Sequence, residues 1–431
     1  MCINNAETDR EKVENTIARL YEIFCTSKGV QTDSRKVSEG EIFFALRGEN
    51  FDGNRYAAAA LEAGAVAAVV DNEEVAVDER YVVVDDTLVA LQELARCHRR
   101  NLSARVLAIT GTNGKTTTKE LVSAVLSRGF RVRHTQGNLN NHIGVPLTLL
   151  SMPADTEIAV VEMGASAQGE IALLASIAEP DLGLITNIGR AHLEGFGGAE
   201  GIRKGKGELY DRLAASGGVA IFRNDDPVLS AMVTEREGLS SVGYESDIAA
   251  GVRSNLVGDY NLFNIAAALA VGDYFGVPRE EAEAAIAAYQ PSNNRSQALP
   301  TAHNLLTVDC YNANPSSMAA SIANHADSVQ PDYLHKVLIL GDMLELGEWS
   351  SEEHRRVLKG AMEEPSVEMV ITVGNCFAEA AAEMCCDSAK VSCFANVEEA
   401  ALWLGETPLK GAFVLVKGSR GIGLERLLGL L

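Results

Sequence analysis

A glycine-rich loop with one lysine and several threonines contains the residues whose chemistry is easiest to infer. Residues 106–120 read VLAITGTNGKTTTKE, an apolar run followed by a tight turn and a helix start. Gly111 and Gly114 allow backbone N–H groups to converge on phosphate oxygens, and the helix N-terminus adds positive charge. Lys115 supplies a cation for the β- and γ-phosphates, and the Thr116 hydroxyl is placed to bind Mg²⁺.

This loop predicts a binding site for a nucleoside triphosphate but does not specify the reaction. Ile109 stands where the full Walker pattern has its first glycine, so the loop has a shorter GTxGKTT form. The predicted nucleotide contacts in the loop are Gly111, Thr112, Asn113, Gly114, Lys115, Thr116 and Thr117. Kinase, motor, GTPase and ligase chemistry all stay open at this point, because similar loops serve many reactions.

Two residues downstream of the loop could bind a metal ion, and a lysine follows them at a fixed spacing. Glu162 ends an apolar run in VVEMGAS, and carboxylates at strand ends beside a nucleotide are typical Mg²⁺ ligands. His192 lies in a glycine-rich segment, and Lys206 follows it 14 residues later. Taken singly, each has an ordinary structural alternative: a solvent-exposed carboxylate, a histidine hydrogen-bonded within its own loop, or a surface lysine.

The elements that must position these residues are predicted to be parallel strands joined by helices. Short β-rich apolar runs alternate with longer amphipathic segments, the pattern of an α/β protein. The predicted strands are 106–110, 158–163, 182–188, 337–340, 369–373 and 412–416, and a helix is predicted over 119–128. Polar stretches at 97–105 and 291–304 predict boundaries that divide the chain into residues 1–103, 104–297 and 298–431.

Composition narrows the class of protein. The chain has 431 residues, enough for two to four domains, and a formal net charge of −22, which disfavours nucleic-acid binding. Apolar runs fall short of the roughly 20 residues that span a bilayer, and the polar N-terminus lacks a signal-peptide pattern. Eight cysteines without a CxxC pair favour a reduced, cytoplasmic protein.

Taken together, the motifs resemble the Mur ligase family, the enzymes that build the peptide of bacterial cell-wall precursors. The resemblance rests on GTNGKTT, on Glu162, and on His192 followed 14 residues later by a lysine before Glu-Leu-Tyr. It extends to Asn264 in GDYNLFNIAAALA, Arg295 in NNRSQ and Asp309 in VDCYNANPSS, which match residues that contact ATP in the family. The segment that includes Ser34 and Arg35, with FFALRGENFDGNRY, resembles the part that holds the UDP moiety.

The resemblance implies three α/β domains. An N-terminal UDP-sugar domain would precede a central P-loop ATPase domain with a parallel sheet, and a C-terminal Rossmann-like domain would close on ATP and bind the incoming substrate. The implied cofactors are ATP, two Mg²⁺ ions and a CO₂-derived carbamate on Lys206, which turns that lysine into an anionic ligand. The implied catalytic residues are Lys115, Glu162, His192 and Lys206, and the implied metal ligands are Thr116, Glu162, His192 and Lys206.

Within the family, several segments indicate the branch that adds D-alanyl-D-alanine to UDP-N-acetylmuramoyl-tripeptide. These are DCYNANPSSMAASI, GDMLELGEWSSEEHR and VKGSRGIGLERLL, together with the lack of a DNPR-like motif. The remaining predicted substrate contacts are Asn140, Asn141, Asn312, Asn314, Ser419 and Arg420. A monomer is expected. Two alternatives stay open: a diaminopimelate- or lysine-adding ligase or a folylpolyglutamate synthase-like relative, and a nucleotide-binding partner protein without ligase activity.

Overall fold

The computed structural model describes residues 2–256, 258, 260–291, 297–386 and 389–431, with side chains from residue 14 onward. Within these residues, parallel sheets form in three successive stretches of the chain, each covered by helices. This confirms the predicted three-domain α/β architecture. The cuts at 103/104 and 297/298 stay predictions. None of the described helices is both long and apolar enough to cross a membrane.

The N-terminal unit is a small parallel sheet with the strand order β1-β2-β5-β6 and a separate β3-β4 hairpin. Its elements are α1 (Cys2–Thr26), β1 (Val30–Gln31), β2 (Ile42–Phe44), β3 (Arg47–Gly48), β4 (Phe51–Asp52), α2 (Ala57–Glu62), β5 (Ala67–Val70), β6 (Tyr81–Val83) and α3 (Thr87–Asn101). Asp86 caps α3 by accepting hydrogen bonds from the N–H groups of Leu88 and Val89.

The central unit is a parallel sheet with the order β12-β11-β10-β7-β9-β8. Its elements are β7 (Arg105–Thr110), α4 (Lys115–Leu126), β8 (Val132–His134), α5 (Gly144–Leu150), β9 (Ile158–Glu162), α6 (Glu170–Ala178), β10 (Leu182–Ile185), α7 (Leu193–Phe196), α8 (Ala199–Ser216), β11 (Val219–Arg223), α9 (Pro227–Thr234), β12 (Ser240–Tyr244), α10 (Asn261–Tyr274) and α11 (Arg279–Ala288). Strands β7 and β9 are almost continuously apolar because helices cover both faces of the sheet.

The C-terminal unit has the order β13-β14-β18-β15-β16-β17, in which the edge strand β13 is antiparallel and the others are parallel. Its elements are β13 (Gln297–Pro300), β14 (Leu305–Asp309), α12 (Pro315–Asp327), β15 (His335–Gly341), α13 (Ser350–Glu363), β16 (Met369–Val373), α14 (Asn375–Glu383), β17 (Val391–Phe394), α15 (Val397–Glu406) and β18 (Ala412–Lys417).

The phosphate loop lies at the point where the central sheet reverses its order. The chain leaves β7 through α4 towards β8 and β9 on one side, and it later returns to place β10 on the other side. Open parallel sheets bind ligands outside the carboxyl ends of their strands at such a point. The order of strands therefore places 111–114, Glu162 and the segment after β10 around one site.

An apolar cluster joins the central and C-terminal units. Leu193, Phe196 and Ile202 of the central unit are almost fully buried in one cluster with Met343 and Leu346 of the C-terminal unit. Burial of this kind is the main favourable contribution to association between domains. The two units are therefore packed together, with their strand ends turned to a shared cavity.

Candidate active site

A cavity of about 1020 Å³ lies between the central and C-terminal units. The sequence-predicted residues that line it are Thr112, Asn113, Gly114, Lys115, Thr116, Thr117, Asn140, Asn141, Glu162, His192, Asn264, Asp309, Asn312 and Asn314. Of the other predicted residues within the described ranges, Ser34, Arg35, Gly111, Lys206, Ser419 and Arg420 are not on its wall. Arg295 lies outside the described residues.

The phosphate loop needs glycine at two positions. Gly111 has φ +139°, and a Cβ there would lie 2.0 Å from Thr186 Oγ1. Gly114 has φ +79°, and a Cβ there would lie 2.4 Å from Asn264 Oδ1. Both conformations are in the region that favours glycine, and both positions pack directly against a neighbour. The loop is thus a tightly packed turn that leads directly into α4.

Two side chains after β10 hold the loop from behind. Thr186 Oγ1 donates to the Asn113 carbonyl oxygen over 2.6 Å, and Asn187 Nδ2 donates to the same oxygen over 3.0 Å. Asn187 Oδ1 in turn accepts from the Asn113 N–H over 3.1 Å. Sequence reasoning missed this support because it extended the strand through residue 188, whereas β10 ends at Ile185. The signal was present as the polar pair Thr186-Asn187 that follows the apolar run.

Lys115 is held close to the loop. Its Nζ donates to the carbonyl oxygens of Gly111 over 2.8 Å and of Thr112 over 3.0 Å. The ammonium group therefore lies beside the N-terminus of α4, where a bound anion would meet both charges.

A buried carboxylate lies next to the loop at the end of β9. Glu162 is 2% exposed, and its Oε1 accepts from Thr116 Oγ1 over 3.1 Å and from Asn140 Nδ2 over 2.8 Å. Its Oε2 lies 3.9 Å from Nζ of Lys119, a fully buried lysine that also donates to the Thr135 carbonyl oxygen. Sequence reasoning missed Lys119, although it falls one turn after Lys115 on α4. Its Nζ also lies 2.9 Å from Oε1 of Glu120, so the buried ammonium group is shared between two carboxylates, of which Glu162 is the buried one.

His192 of the central unit directly contacts a carboxylate of the C-terminal unit at the cavity wall. Its Nδ1 is paired with Oε2 of Glu345, and this pairing holds the pKa of the Glu345 carboxyl below its ordinary value. Both residues have left-handed backbones, with φ +52° for His192 and +62° for Glu345. Such conformations are costly for residues other than glycine and persist where the surroundings enforce them. Sequence reasoning did not identify Glu345.

Lys206 is buried on α8 beneath the cavity wall. Its Nζ donates to the carbonyl oxygen of Ala165 over 3.0 Å and lies 4.8 Å from the ring centre of Phe196. Burial, and next the positive charge of Lys115, lower the pKa of this amine well below its ordinary value. The amine therefore loses its proton more readily than the amine of a surface lysine does. It also lies close enough to the phosphate loop for the charge of Lys115 to affect its pKa.

The start of α10 supports the loop from the opposite side. Asn264 accepts from Thr118 Oγ1 over 3.0 Å and donates to Asn261 Oδ1 over 2.8 Å, and both asparagines are nearly fully buried. Beyond them, the Arg223 guanidinium lies 4.0 Å from the ring centre of Phe263, and both residues line the cavity. This end offers a flat aromatic and cationic surface.

The C-terminal unit contributes polar groups from the ends of β14 and β18. Asp309 is paired with Lys417, which is buried, and also accepts from Ser321 Oγ over 3.3 Å. Asn314 caps α12 and donates from Nδ2 to Oδ1 of Asn113 over 2.8 Å, so it contacts the phosphate loop directly. The C-terminal unit therefore already reaches the loop in this structure.

Several predicted substrate contacts already have partners within the protein. Asn141 lines the cavity but caps the turn before α5 by accepting from the N–H of Gly144 over 2.8 Å. Ser419 accepts from the Leu344 N–H over 3.0 Å, and the Arg420 guanidinium lies 5.7 Å from the ring centre of Tyr311. Arg35 forms a paired hydrogen bond with Asp33 in the N-terminal unit.

A second cluster of possible metal ligands lies in the C-terminal unit and consists of Asp342, His354 and Cys376. Its carboxylate and imidazole already have hydrogen-bond partners within the protein. Asp342 accepts from the N–H groups of Cys376 and Phe377, both over 2.9 Å, and so caps α14. His354 Nε2 accepts from the Met343 N–H over 3.0 Å, and its Nδ1 lies 2.7 Å from the Ser350 carbonyl oxygen. These hydrogen bonds account for the cluster as a structural junction between β15, α13 and α14.

Comparison with known proteins gives matches along nearly the whole chain. Residues 26–99 match the model of the Mur ligase family catalytic domain, residues 109–249 the Mur ligase middle domain, and residues 294–420 the Mur ligase glutamate ligase domain. The UDP-N-acetylmuramoyl-tripeptide--D-alanyl-D-alanine ligase of Bacillus subtilis is 37% identical and covers 97% of this chain and 96% of its own. The ligase of the same name from Escherichia coli is 35% identical over 81% of this chain and 82% of its own.

Solved structures agree with the sequence matches. The structure of MurF from Acinetobacter baumannii superimposes with a TM-score of 0.82 at 31% identity and covers 93% of this chain and 92% of its own. The structure of the MurF ligase from Thermotoga maritima, solved in complex with ADP, superimposes with a TM-score of 0.80 at 29% identity and covers 94% and 97%.

Proposed function

Because the chain belongs to the Mur ligase family, we propose that it joins D-alanyl-D-alanine to UDP-N-acetylmuramoyl-tripeptide with ATP cleaved to ADP and phosphate. The observation that carries the proposal is the match over 97% of the chain to a relative of that name. The geometry supports it, because one cavity unites a phosphate loop, a buried carboxylate and polar groups of a second α/β unit.

The reaction requires two steps because a carboxylate is a poor acyl donor. An oxygen of the tripeptide carboxylate attacks the γ-phosphorus, the bond from that phosphorus to the bridging oxygen breaks, and ADP leaves with the electron pair. The dipeptide ammonium loses one proton, and its nitrogen attacks the acyl carbon. The acyl C–O bond then breaks, phosphate leaves with the electron pair, and the nitrogen loses a second proton as the amide forms. Two anions meet in the first step, so catalysis depends on neutralising and aligning charge.

The phosphates of ATP are assigned to the loop 111–117 and Lys115. The loop N–H groups and the start of α4 favour anions, and Lys115 is already turned towards the loop. Asn264 of α10 packs against Gly114. The Arg223 guanidinium and the Phe263 ring offer a surface for the flat adenine base. Asp309, beside Lys417, is assigned to the ribose side of the nucleotide. A loop lysine that contacts the phosphates raises affinity for ATP and stabilises the charge that develops during transfer.

The donor set around Glu162 fits Mg²⁺. A buried carboxylate with a threonine hydroxyl at 3.1 Å and an amide beside it provides the oxygen ligands that this ion prefers. Thr116 and Glu162 would hold one ion, and Glu162, His192 and a modified Lys206 would hold a second. When bound, Mg²⁺ neutralises phosphate oxygens and draws the carboxylate towards them.

Lys206 is proposed to carry a carbamate. As an ammonium it would repel Mg²⁺ and Lys115, and its lowered pKa favours the neutral amine that CO₂ requires. The amine nitrogen bonds to the carbon of CO₂ and loses one proton, which leaves an anionic carbamate.

Removal of the lysine tests the carbamate directly. We expect Lys206→Ala to lose activity by about 100-fold or more, since one stabilising charge is missing from the transition state. Added acetate or formate should restore part of the activity by supplying the missing carboxylate, and Lys204→Ala should be unaffected. Equal activity of Lys206→Ala and wild type would rule out the role.

A comparison of acceptors tests the function. Phosphate release with Mg-ATP and UDP-muramoyl-tripeptide is measured with D-alanyl-D-alanine, D-glutamate, diaminopimelate and lysine. The proposal expects phosphate release when D-alanyl-D-alanine is the acceptor and not with the three single amino acids. Release with a single amino acid would assign the chain to another step of the family, and release without any acceptor would indicate a plain NTPase. The reaction is assigned to the cytoplasm because ATP and nucleotide-linked precursors are made there.

A further inference from the structure

The cavity has an acidic side chain that the proposed chemistry leaves unused. Within the described residues, the acids that line the cavity are Glu162, Glu170, Asp309 and Glu345. Glu162 is held by Thr116 and Asn140, and Glu170 accepts from the N–H groups of Ser166 and Ala167 at the start of its own helix. Asp309 is paired with the buried Lys417. Glu345 differs because its partner is His192, a side chain that the metal site would require.

The backbone around Glu345 holds its side chain towards the cavity. Met343 and Leu346, on either side of it, are almost fully buried in the cluster that joins the two units. Glu345 itself has a left-handed backbone, lines the cavity and has 63% of its side-chain area exposed. Gly347 then packs so closely on Glu194 that a Cβ would lie 2.9 Å from it. The carboxylate is thus accessible from the cavity yet fixed in place.

The incoming dipeptide supplies the charge that such a group would bind. D-alanyl-D-alanine is a zwitterion, and the nitrogen of its ammonium group attacks the acyl carbon after that group has lost a proton. Its nitrogen must come within about 3–3.5 Å of the acyl carbon. His192 is assigned to the metal ion beside the reacting carboxylate of the tripeptide. Because the Glu345 side chain contacts His192, the Glu345 carboxylate is separated from the reacting group only by the His192 side chain.

We propose that Glu345 binds the ammonium group of the incoming dipeptide and positions its nitrogen for attack, an inference that rests on the proposed function. With His192 assigned to a metal ion, the Glu345 carboxylate would be left without its present partner, and the ammonium group of the dipeptide would take that place. A charge-assisted hydrogen bond of this kind is directional as well as attractive.

The test compares two ligands that differ in one group. Binding of D-alanyl-D-alanine and of D-lactoyl-D-alanine, which has a hydroxyl in place of the ammonium, is measured by calorimetry. The enzyme carries Mg²⁺, a non-hydrolysable ATP analogue and UDP-muramoyl-tripeptide. We expect Glu345→Gln to weaken dipeptide binding by about 10- to 100-fold and to change lactoyl-dipeptide binding by less than about threefold. Glu345→Asp should recover part of the loss.

Glu348→Gln is the matched control, because Glu348 is exposed and lies three residues away. It should leave both affinities unchanged. Equal loss for both ligands, no loss, or a parallel loss of affinity for the ATP analogue would overturn the inference, since Glu345 would then act only through the fold or through His192. If the wild type itself shows no phosphate release with D-alanyl-D-alanine, the proposed function fails first. An active wild type with unchanged ligand preference in Glu345→Gln removes this inference alone.

Discussion

Glu162 shows how single residues at this site depend on charges that lie behind them. Its carboxylate is almost fully buried, and Lys119 on α4 provides a compensating charge at 3.9 Å. A buried carboxylate without a cation is strongly disfavoured. Lys119 therefore positions Glu162 without itself lining the cavity.

We predict that Lys119→Met lowers the free energy of unfolding by about 3–5 kcal/mol, because it leaves the Glu162 charge unpaired. The double variant Lys119→Met/Glu162→Gln should be less destabilised than the sum of its two single variants. Denaturant unfolding with an unchanged m-value measures this coupling. Strict additivity of the two changes would contradict the pairing.

Residue types and spacing identified Lys115, Thr116, Glu162 and His192 as candidate site residues, because each belongs to a local motif. The structure has all four on the cavity wall. Residue types and spacing did not predict Glu345 or Lys119. Glu345 reaches the site only through the packing of a distant loop, and Lys119 resembles any lysine on a helix until burial is known. Ser419 and Arg420 were predicted from a motif and lie off the wall, where Ser419 accepts a hydrogen bond from the Leu344 N–H and the Arg420 guanidinium lies 5.7 Å from the ring centre of Tyr311.

At the scale of elements, the phosphate loop and α4 act as one rigid unit. Gly114 caps α4 with a left-handed backbone and packs against Asn264 of α10. A side chain here would have to displace a nearly buried asparagine that is itself hydrogen-bonded.

We predict that Gly114→Ala lowers affinity for an ATP analogue by at least tenfold and costs about 1–3 kcal/mol of stability, because the backbone is strained and the Cβ clashes. Gly129→Ala is the control, since Gly129 has open space around its Cα. Calorimetric titration and thermal unfolding check both quantities. Nucleotide binding as tight as in the wild type would show that the loop tolerates a side chain.

Packing of α12 on β18 should make stability depend on pH. His325 is 1% exposed, its ring centre lies 4.1 Å from that of Phe413, and burial, followed by the charge of Lys336, lowers its pKa from 6.5 to about 3. Between these values the unfolded chain binds a proton that the folded chain does not, so stability is lost as pH falls below 6.5.

We predict a loss of about 2 kcal/mol from this group between pH 7 and pH 5. His325→Phe keeps an aromatic ring and should have a flatter profile of unfolding free energy against pH. The difference between the two profiles isolates the histidine. Parallel profiles would contradict the assignment.

Apolar runs predicted the strands well, because parallel strands covered on both faces are nearly continuous in sequence. The run 369–373 coincides with β16. Strands β7 and β18 differ from their predicted bounds by one residue at one end, and β15 extends past its predicted bounds at both ends. The amphipathic pattern predicted a helix only over 119–128, whereas α4 begins at Lys115, where the phosphate-loop motif predicts a helix start, and ends at Leu126. The pattern misses the first turn because that turn consists of loop threonines rather than apolar residues. The order of strands within each sheet depends on long-range pairing that periodicity does not encode.

For the whole molecule, the decisive feature is how the central and C-terminal units meet. Arg190 pairs with Glu353 over 2.6 Å across the boundary, and its N–H donates to Ser316 Oγ over 2.7 Å. Glu353 is fully buried and is also paired with Arg356 of its own helix over 2.6 Å. These contacts keep Asp309 and Asn314 on the wall of the cavity.

We predict that Arg190→Met lowers kcat at least tenfold and increases the radius of gyration, because it removes an ion pair that joins the two units across their boundary. Arg356→Met removes a pair on the same carboxylate without touching the boundary, and it should keep both kcat and compactness. Small-angle scattering and steady-state kinetics provide the two readouts. Similar behaviour of the two variants would show that Arg190 does not hold the units together.

The central claim is that ATP activates the tripeptide carboxylate so that D-alanyl-D-alanine can attack it. UDP-muramoyl-tripeptide labelled with ¹⁸O in the reacting carboxylate is incubated with Mg-ATP and the dipeptide, and both products are analysed by mass spectrometry. The account predicts a UDP-muramoyl-pentapeptide and inorganic phosphate that carries one ¹⁸O atom from the carboxylate. Phosphate without the label, or release of phosphate without pentapeptide, would contradict it.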